Sequence, residues 1–204
     1  MRQPHPLQYD VEYPDRPLNR LTTALRLLAA LPIVLLLAAI GGASVVSGAD
    51  TTTVVASGSA LLVLPPLLMI VFRGKYPRWW YDFNVELLGF QNRVGVYLAL
   101  MDDRYPSTDE RQSVRLSVPE PVGLNRWLPL VKWLLAIPHY IVLAVLHVGA
   151  LFAVIAAWFA ILVTGRFPRR LFDYLVGVGR WTNRVTAYAC LLVTDAYPPF
   201  RLAA

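Results

Sequence analysis

Residues 133–164 read WLLAIPHYIVLAVLHVGALFAVIAAWFAILVT, an apolar tract without a single Asp, Glu, Lys or Arg. A helix that crosses a bilayer needs about 20 mostly apolar residues. The tract is too long for one such helix and, counted from Leu128, long enough for two short ones. It therefore predicts two transmembrane helices joined by a tight turn near His147–Gly149.

Two further apolar runs precede this tract, from Leu25 to Val46 and from Val54 to Phe72, and predict spans one and two. The composition agrees, because 56% of the 204 residues are hydrophobic, 16% are charged and the mean hydropathy is +0.49. Soluble domains carry about 25% charged residues. The lone Cys190 excludes a disulfide scaffold. The sequence thus predicts an all-α membrane protein with four transmembrane helices.

Positive charges flank these spans, whereas the loops between spans one and two and between spans three and four carry no Lys or Arg. By the positive-inside rule, both termini and the central segment are cytoplasmic, in a multi-pass protein of the plasma membrane. We attribute the net charge of +6 to this membrane surface rather than to nucleic acid. The flanking cations are Arg16, Arg20, Arg26, Arg73, Lys75, Arg78, Arg126, Lys132, Arg166, Arg169 and Arg170.

Several motifs occur twice, which predicts tandem repeats over residues 1–109 and 110–204. Because most matching positions are polar, glycine or proline, chance similarity between two leucine-rich stretches does not explain them. Two spans in each copy give both copies the same orientation, with a pseudo-twofold axis along the membrane normal. The matches include Leu18-Asn19-Arg20 with Leu124-Asn125-Arg126, Gly74-Lys75-Tyr76-Pro77-Arg78 with Gly165-Arg166-Phe167-Pro168-Arg169, Asn92-Arg93-Val94 with Asn183-Arg184-Val185, and the endings Asp103, Tyr105-Pro106 and Asp195, Tyr197-Pro198.

An amphipathic helix is predicted after each pair of spans, starting near Trp79 and near Arg170. Apolar residues such as Phe83, Leu87 and Phe90 recur at helical spacing on one face. Such a helix lies in the headgroup plane; the alternative is a cytoplasmic helix packed beneath the bundle. The predicted interfacial anchors are Trp79, Trp80, Tyr81, Phe172 and Trp181.

The segments that lead into the two repeats, 9–14 and 114–119, alternate apolar and polar residues. This period is typical of strands. The two segments are predicted either to pair as short cytoplasmic β-strands or to remain extended linkers.

Arg26 and Lys132 are equivalent in the repeat and lie inside the first span of each copy. A charge within a membrane is costly unless it is paired or reaches the interface. The side chains could snorkel to water, pair with the repeated acids Asp82 and Asp173, or bind an anionic lipid headgroup. Arg93 and Arg184, on the polar faces of the amphipathic helices, complete these candidates for ion pairs or headgroup contacts.

His139 and His147 are the only histidines near the spans, and on a helix they would lie about 12 Å apart. They cannot bind one metal ion together, so no metal and no cofactor are predicted. The spans contain no Asp or Glu, which argues against a proton pump. The sequence has no phosphate loop, zinc-protease motif or nucleophile elbow, and no enzyme activity is predicted.

These motifs, above all Lys75-Tyr76-Pro77-Arg78-Trp79-Trp80-Tyr81-Asp82-Phe83 with Asn92-Arg93-Val94 and their second copies, resemble the DUF4389 family of bacterial membrane proteins. The resemblance covers nearly the whole chain. It implies a polytopic protein of the bacterial inner membrane, and it implies no catalytic residues.

The sequence therefore predicts a non-enzymatic protein, either a structural or accessory subunit of a larger membrane complex or a homo-oligomeric scaffold. Gly41 and Gly42 are small enough to let helices approach closely. One alternative is a small transporter or channel that works as an oligomer. A weaker alternative is a cofactor-binding membrane subunit that uses His139 and His147.

Overall fold

The computed structural model describes residues 5–40, 43–47, 52–56, 58–108, 110 and 112–203. The described elements are mostly helices, as the composition predicts. In chain order they are β1 (Gln8–Val11), α1 (Arg20–Ile40), β2 (Ala43–Ser47), β3 (Thr52–Ala56), α2 (Gly58–Leu68) with a π-helical continuation Met69–Arg73, α3 (Arg78–Leu98), β4 (Val114–Ser117), α4 (Pro129–Leu135), α5 (Ile137–Thr164) and α6 (Arg169–Ala189).

The long apolar tract forms one helix, α5, and the turn predicted at His147–Gly149 is wrong. Gly149 serves close packing instead, because a Cβ atom at this position would lie 2.5 Å from the Tyr174 hydroxyl. That hydroxyl donates to the backbone oxygen of Leu146 at 2.9 Å. The glycine thus admits a neighbouring side chain to the helix surface rather than ending the helix.

Among the described residues, two helices are long and apolar enough to cross a membrane, Arg20–Ala38 and Ile137–Thr164. The prediction of four such helices is therefore not supported. Helix α5 is separated from α4 only at Ala136, two residues before Pro138. A proline ring clashes with the preceding helical turn, which accounts for a break at this point.

Helix α6 runs antiparallel along α5 and α4. Along the pair, Tyr174 contacts Leu146, Trp181 contacts His139 and Lys132 lies by the Tyr188 ring. Helix α3 packs on α1 in the same sense, with Tyr97 near Arg26 and Phe90 near Ile33. The apolar face of α6 and the second half of that of α3 therefore pack against protein, whereas Phe83, near the start of α3, is 45% exposed.

The predicted lead strands pair with each other. β1 and β4 form an antiparallel ladder in which Tyr9 faces Leu116 and Asp10 faces Arg115. β1 packs on α6 and β4 packs on α3. The two-stranded sheet, called the polar layer below, therefore covers α3 and α6 on the side away from α1, α4 and α5. A second hairpin joins β2 and β3 between α1 and α2.

The start of α1 lies beside the end of α5. The backbone N–H of Leu18 donates to the oxygen of Gly165 at 2.9 Å, and the Arg20 guanidinium donates to that of Val163 at 3.0 Å. Gly165 ends α5 at a φ of +72°, a conformation that glycine adopts without strain. A cation beside the carboxyl end of a helix also interacts favourably with the helix dipole.

Apolar side chains are exposed along α1, α4 and α5, which together we call the apolar layer. On α5 they cover one half of the helix surface, and Ile141, Val145, Phe152 and Val163 are each more than half exposed. Helix α6 is the opposite case, because most of its residues are buried. The molecule thus has three layers: the apolar layer, the middle helices α3 and α6, and the polar layer.

Candidate functional site: two buried cations and an arginine-lined cleft

Arg26 is almost completely buried between α1 and the end of α3. Its guanidinium donates to the backbone oxygens of Tyr97 at 2.8 Å and Asp102 at 2.7 Å. It forms an ion pair with Asp103 and lies over the Tyr97 ring, 4.5 Å from the ring centroid. We call Arg26, Tyr97, Asp102 and Asp103 the Arg26 cluster.

Lys132 occupies a matching position between α4 and the end of α6. Its Nζ donates to the backbone oxygen of Thr194 at 2.8 Å and pairs with Asp195 at 2.7 Å. It also lies 5.2 Å from the centroid of the Tyr188 ring. We call Lys132, Tyr188, Thr194 and Asp195 the Lys132 cluster. In both clusters a buried cation is paired, which is how proteins tolerate such charges.

A tight turn after each middle helix brings the carboxylate to its cation. Leu100 and Leu192 both have positive φ, 64° and 58°, and reverse the chain just beyond α3 and α6. Asp103 then accepts the backbone N–H of Asn19 at 2.8 Å, and Asp195 accepts that of Asn125 at 2.7 Å. Each carboxylate thus also binds the segment that precedes the cation's helix.

The acids predicted as partners lie elsewhere. Asp82 is exposed on α3, and Asp173 is exposed on α6 and lies 3.6 Å from Arg169. The actual partners, Asp103 and Asp195, belong to the repeated acid-and-Tyr-Pro endings. The repetition of these endings pointed to Asp103 and Asp195. Their positions, however, depend on the turns that follow α3 and α6, and the sequence does not predict those turns.

Two of the five predicted interfacial anchors are core residues. Phe172 is 2% exposed and Trp181 is 5% exposed, so neither can sit at a membrane boundary. Trp79 is 68% exposed, whereas Trp80 and Tyr81 are partly buried and the Tyr81 hydroxyl donates to the oxygen of Val118 at 2.9 Å. The periodicity identified an apolar face correctly but could not show that α5 covers it.

His139 is fully buried by aromatic rings. Its Nδ1 accepts the indole N–H of Trp181 at 3.1 Å, and its ring stacks on Phe200 with centroids 4.0 Å apart. His147 is exposed and its Nδ1 lies 2.7 Å from the oxygen of Leu143. Within the described ranges, no group of three His, Cys, Asp or Glu side chains could hold a metal ion.

Arg93 and Arg184 follow a pair of asparagines that joins the middle helices. The amides of Asn92 and Asn183 donate to each other's oxygens at 2.8 and 2.7 Å. Arg93 donates to the backbone oxygens of Ser107 and Thr108 at 2.8 and 3.0 Å. Arg184 likewise donates to backbone oxygens, as described below. Both arginines hold the segment that follows their own helix.

A cleft of about 1230 Å³ lies between the sheet and helices α3 and α6. Its walls carry more positive than negative charge. The charged side chains that line it are Arg93, Arg115, Arg180 and Arg184, together with Asp10 and Glu86. Arg180 is paired with Asp10 at 3.1 Å, and Arg115 is paired with Glu12.

Arg184 is the most buried of these arginines, at 2% exposed. Its two terminal nitrogens donate to the backbone oxygens of Arg201 at 3.3 Å and Ala203 at 3.0 Å. Burial and the nearby charges of Arg201 and Arg180 lower the pKa of the Arg184 guanidinium. The charge of Arg184 is therefore less well compensated than that of Arg26 or Lys132.

Comparison with known proteins identifies one family. Residues 127–201 match the family model described as "Domain of unknown function (DUF4389)". The resemblance found in the sequence is confirmed for this segment, which comprises α4, α5, α6 and the Lys132 cluster, and the match is narrower than the predicted whole-chain similarity. No curated protein and no solved structure matches the chain.

Proposed function

The chain contains a DUF4389 domain, of unknown function, at residues 127–201. We propose that the protein is a non-enzymatic, membrane-embedded accessory or scaffold protein. The observation that carries this proposal is the apolar layer, whose exposed face is formed by side chains of α1, α4 and α5. A contiguous apolar surface of this kind is typical of a membrane or protein contact. The charged sheet and cleft lie on the other side.

We further propose that α5 lies along one leaflet, with both ends on the same side. At its end, the oxygens of Gly165 and Phe167 accept hydrogen bonds from Leu18 and from the Tyr13 hydroxyl. Before α4, which leads into α5, the backbone N–H of Asn125 donates to the Asp195 carboxylate. Each end is thus joined to segments that continue into the polar layer. A helix that crossed the bilayer would have its ends on opposite sides.

The length and charge of α5 agree with this placement. Its 28 residues extend about 42 Å, which exceeds a hydrocarbon core of about 30 Å. Cations occur at both ends of the α4–α5 segment, with Arg126 before α4 and Arg166, Arg169 and Arg170 after α5. An interfacial helix with basic flanks binds anionic headgroups. The excess of cations favours the cytoplasmic side for this surface, and we propose that both termini lie on that side of a bacterial plasma membrane.

We also propose that an internal duplication produced the paired features. Equivalent residues meet where the halves join, since Asn92 pairs with Asn183 and Asp10 faces Arg115 in the ladder. Self-complementary contacts of this kind are the signature of a twofold axis. An axis through both pairs would relate residues 1–109 to 110–204 and would lie along the membrane normal, with the two copies facing the same way.

Cysteine accessibility tests the placement. In a Cys190→Ala background we would introduce single cysteines at Val122, before α4, and at Arg166, after α5. Both should react with a membrane-impermeant maleimide in inside-out vesicles and neither in spheroplasts. A matched Val148→Cys variant, on the exposed face of α5, should resist the reagent in both preparations. Reaction of positions 122 and 166 from opposite sides would reject the one-leaflet placement.

The accessory role requires a separate test. Purification from the native membrane in a mild detergent should yield the chain with a second protein at constant stoichiometry, or as a homo-oligomer without conductance. Reconstitution into planar bilayers measures conductance directly. A monomer without partners, or an ion-conducting oligomer, would contradict the proposal, and the second result would favour a small channel.

A further inference from the structure

The cleft between the sheet and helices α3 and α6 is lined by arginines that the proposed contact with the membrane does not explain. Four arginines and two acids line it, a formal excess of positive charge. Arg115 and Arg180 are neutralised by Glu12 and Asp10. Arg93 is partly exposed and keeps contact with water. The remaining arginine, Arg184, is in a different environment.

Arg184 is a buried cation without an acidic partner among the described residues. Its hydrogen bonds go to two backbone carbonyls, and its Nε, although buried, has no hydrogen-bond partner within the described part of the chain. A guanidinium that is buried without an anion destabilises the folded chain. Carbonyl oxygens carry only partial charge, so the described residues leave the charge of Arg184 uncompensated.

His5 provides a second donor in the same cleft. It is 7% exposed, and its Nδ1 accepts the backbone N–H of Leu7 at 3.2 Å. The neutral ring must therefore carry its proton on Nε2, which is buried and makes no hydrogen bond of ordinary geometry within the described residues, although the backbone of Ala196 lies close to the ring. His5 and Arg184 both line the cleft. Burial and the charge of Arg184 lower the pKa of His5, which favours the neutral ring.

We propose that this cleft binds a phosphate group, with the Arg184 guanidinium and the His5 Nε2–H as its donors. Phosphate suits the site because it offers several strong acceptor oxygens and the negative charge that Arg184 lacks. A guanidinium binds phosphate oxygens in a planar, two-point geometry. The phosphate could belong to a phospholipid headgroup or be free in solution. Free phosphate can reach the cleft however α5 lies in the membrane, whereas a headgroup can do so only if the polar layer also meets the bilayer.

The test uses the full-length protein in phosphatidylcholine nanodiscs. Inorganic phosphate is titrated against chloride at constant ionic strength, and binding is followed by ³¹P NMR line broadening and by the shift in unfolding temperature. A second preparation contains phosphatidylglycerol. Saturable phosphate binding in pure phosphatidylcholine identifies a free anion. Stabilisation by phosphatidylglycerol that Arg184→Gln abolishes, with no response to phosphate, identifies a headgroup in the cleft. Either result supports the proposal, and no response in both preparations overturns it.

Variants locate the site. Arg184→Gln should weaken phosphate or phosphatidylglycerol binding by about tenfold or more, because a charge-assisted hydrogen bond contributes roughly 1.5–3 kcal/mol. Arg104→Gln, which removes the same charge from an exposed position outside the cleft, is the matched control and should bind normally. His5→Ala should weaken binding several-fold and serves as the test if Arg184→Gln does not fold. Unchanged binding in whichever of these two variants folds would overturn the proposal.

Discussion

The Arg26 and Lys132 clusters have the same design but not the same strength. Each joins the first helix of its half to the end of a middle helix through a cation, a tyrosine ring and a carboxylate. Arg26 reaches two backbone oxygens and Asp103, whereas Lys132 reaches one backbone oxygen and Asp195. A guanidinium has five donors and an ammonium three. The choice of cation therefore sets how many acceptors each cluster holds.

The acidic sides differ as well. The side chain of Asp103 is 12% exposed and that of Asp195 is 29% exposed, so water screens the second ion pair more. Next to Asp103, the first cluster has Asp102 where the second has Thr194. Burial alone would raise the pKa of Asp102, but hydrogen bonds from Arg104 and Ser113 outweigh it and hold the pKa below its usual value. The first half thus depends more on buried charge.

Removal of each cation should show the largest difference in stability between the two clusters. Arg26→Met should lower the free energy of unfolding by about 3–5 kcal/mol, because it leaves the Asp103 carboxylate buried without a partner. Lys132→Met should cost less, about 1–3 kcal/mol, since Asp195 can still be hydrated. Denaturant unfolding in detergent, followed by circular dichroism, measures both. Arg170→Met is the exposed control, and equal losses for Arg26→Met and Lys132→Met would refute the contrast.

Replacing the first cation with the second tests donor number directly. Arg26→Lys keeps the charge but should cost about 1–2 kcal/mol, because the oxygen of Tyr97 or of Asp102 loses its donor. Arg20→Lys, at an exposed position with one hydrogen bond to Val163, should change stability by less than about 0.5 kcal/mol. The same unfolding assay applies. A neutral Arg26→Lys would mean that charge alone holds the cluster.

The asparagine pair tests whether the halves are coupled. Asn92→Ala and Asn183→Ala should each cost about 1 kcal/mol, and the double variant should be less destabilised than the sum by about 0.5 kcal/mol or more. The control cycle combines Asn84→Ala with Asn183→Ala, because Asn84 bonds only within its own helix. Additive losses in both cycles would show that the pair does not couple the halves.

The smallest expected effect is that of acid, which should lower the free energy of unfolding through the first cluster more than through the second. The pKa of folded Asp102 is below its unfolded value, so its contribution is present at neutral pH and is lost as the pH falls below about 4 through the folded pKa. Asp102→Asn should flatten stability against pH in this range. Thr194→Val, at the matching position, should leave the slope unchanged. An equal slope in the wild type and Asp102→Asn would exclude this source of acid sensitivity.

Local signals in the sequence predicted much of the fold. The Pro-Arg pairs placed the starts of α3 and α6 within a residue, and alternation identified β1 and β4. Equivalence in the repeat also selected Arg26 and Lys132, both of which are buried and paired. These features depend on residues close in sequence, where turn chemistry and side-chain period act directly.

The sequence could not show which residues from other parts of the chain pack against a given side chain. Gly149 was interpreted as a turn residue, but its lack of a side chain accommodates Tyr174, which is distant in sequence. Trp181 was assigned to a lipid boundary because it lies on the apolar face of α6. The sequence did not show that His139, on α5, covers it. The buried donors of Arg184 and His5 were likewise invisible, since burial is a property of the assembled chain.

The hydrogen bond between Leu18 and Gly165 has a consequence for biosynthesis. Each cation cluster is assembled from one half of the polypeptide, so the first can form while the ribosome is still translating the second. The start of α1, in contrast, waits for the last residues of α5 to emerge. A released fragment of residues 1–109 should therefore hold Arg26 in place yet leave the N-terminal strand open to proteases and chaperones. Two separately translated fragments should find each other through the same bond.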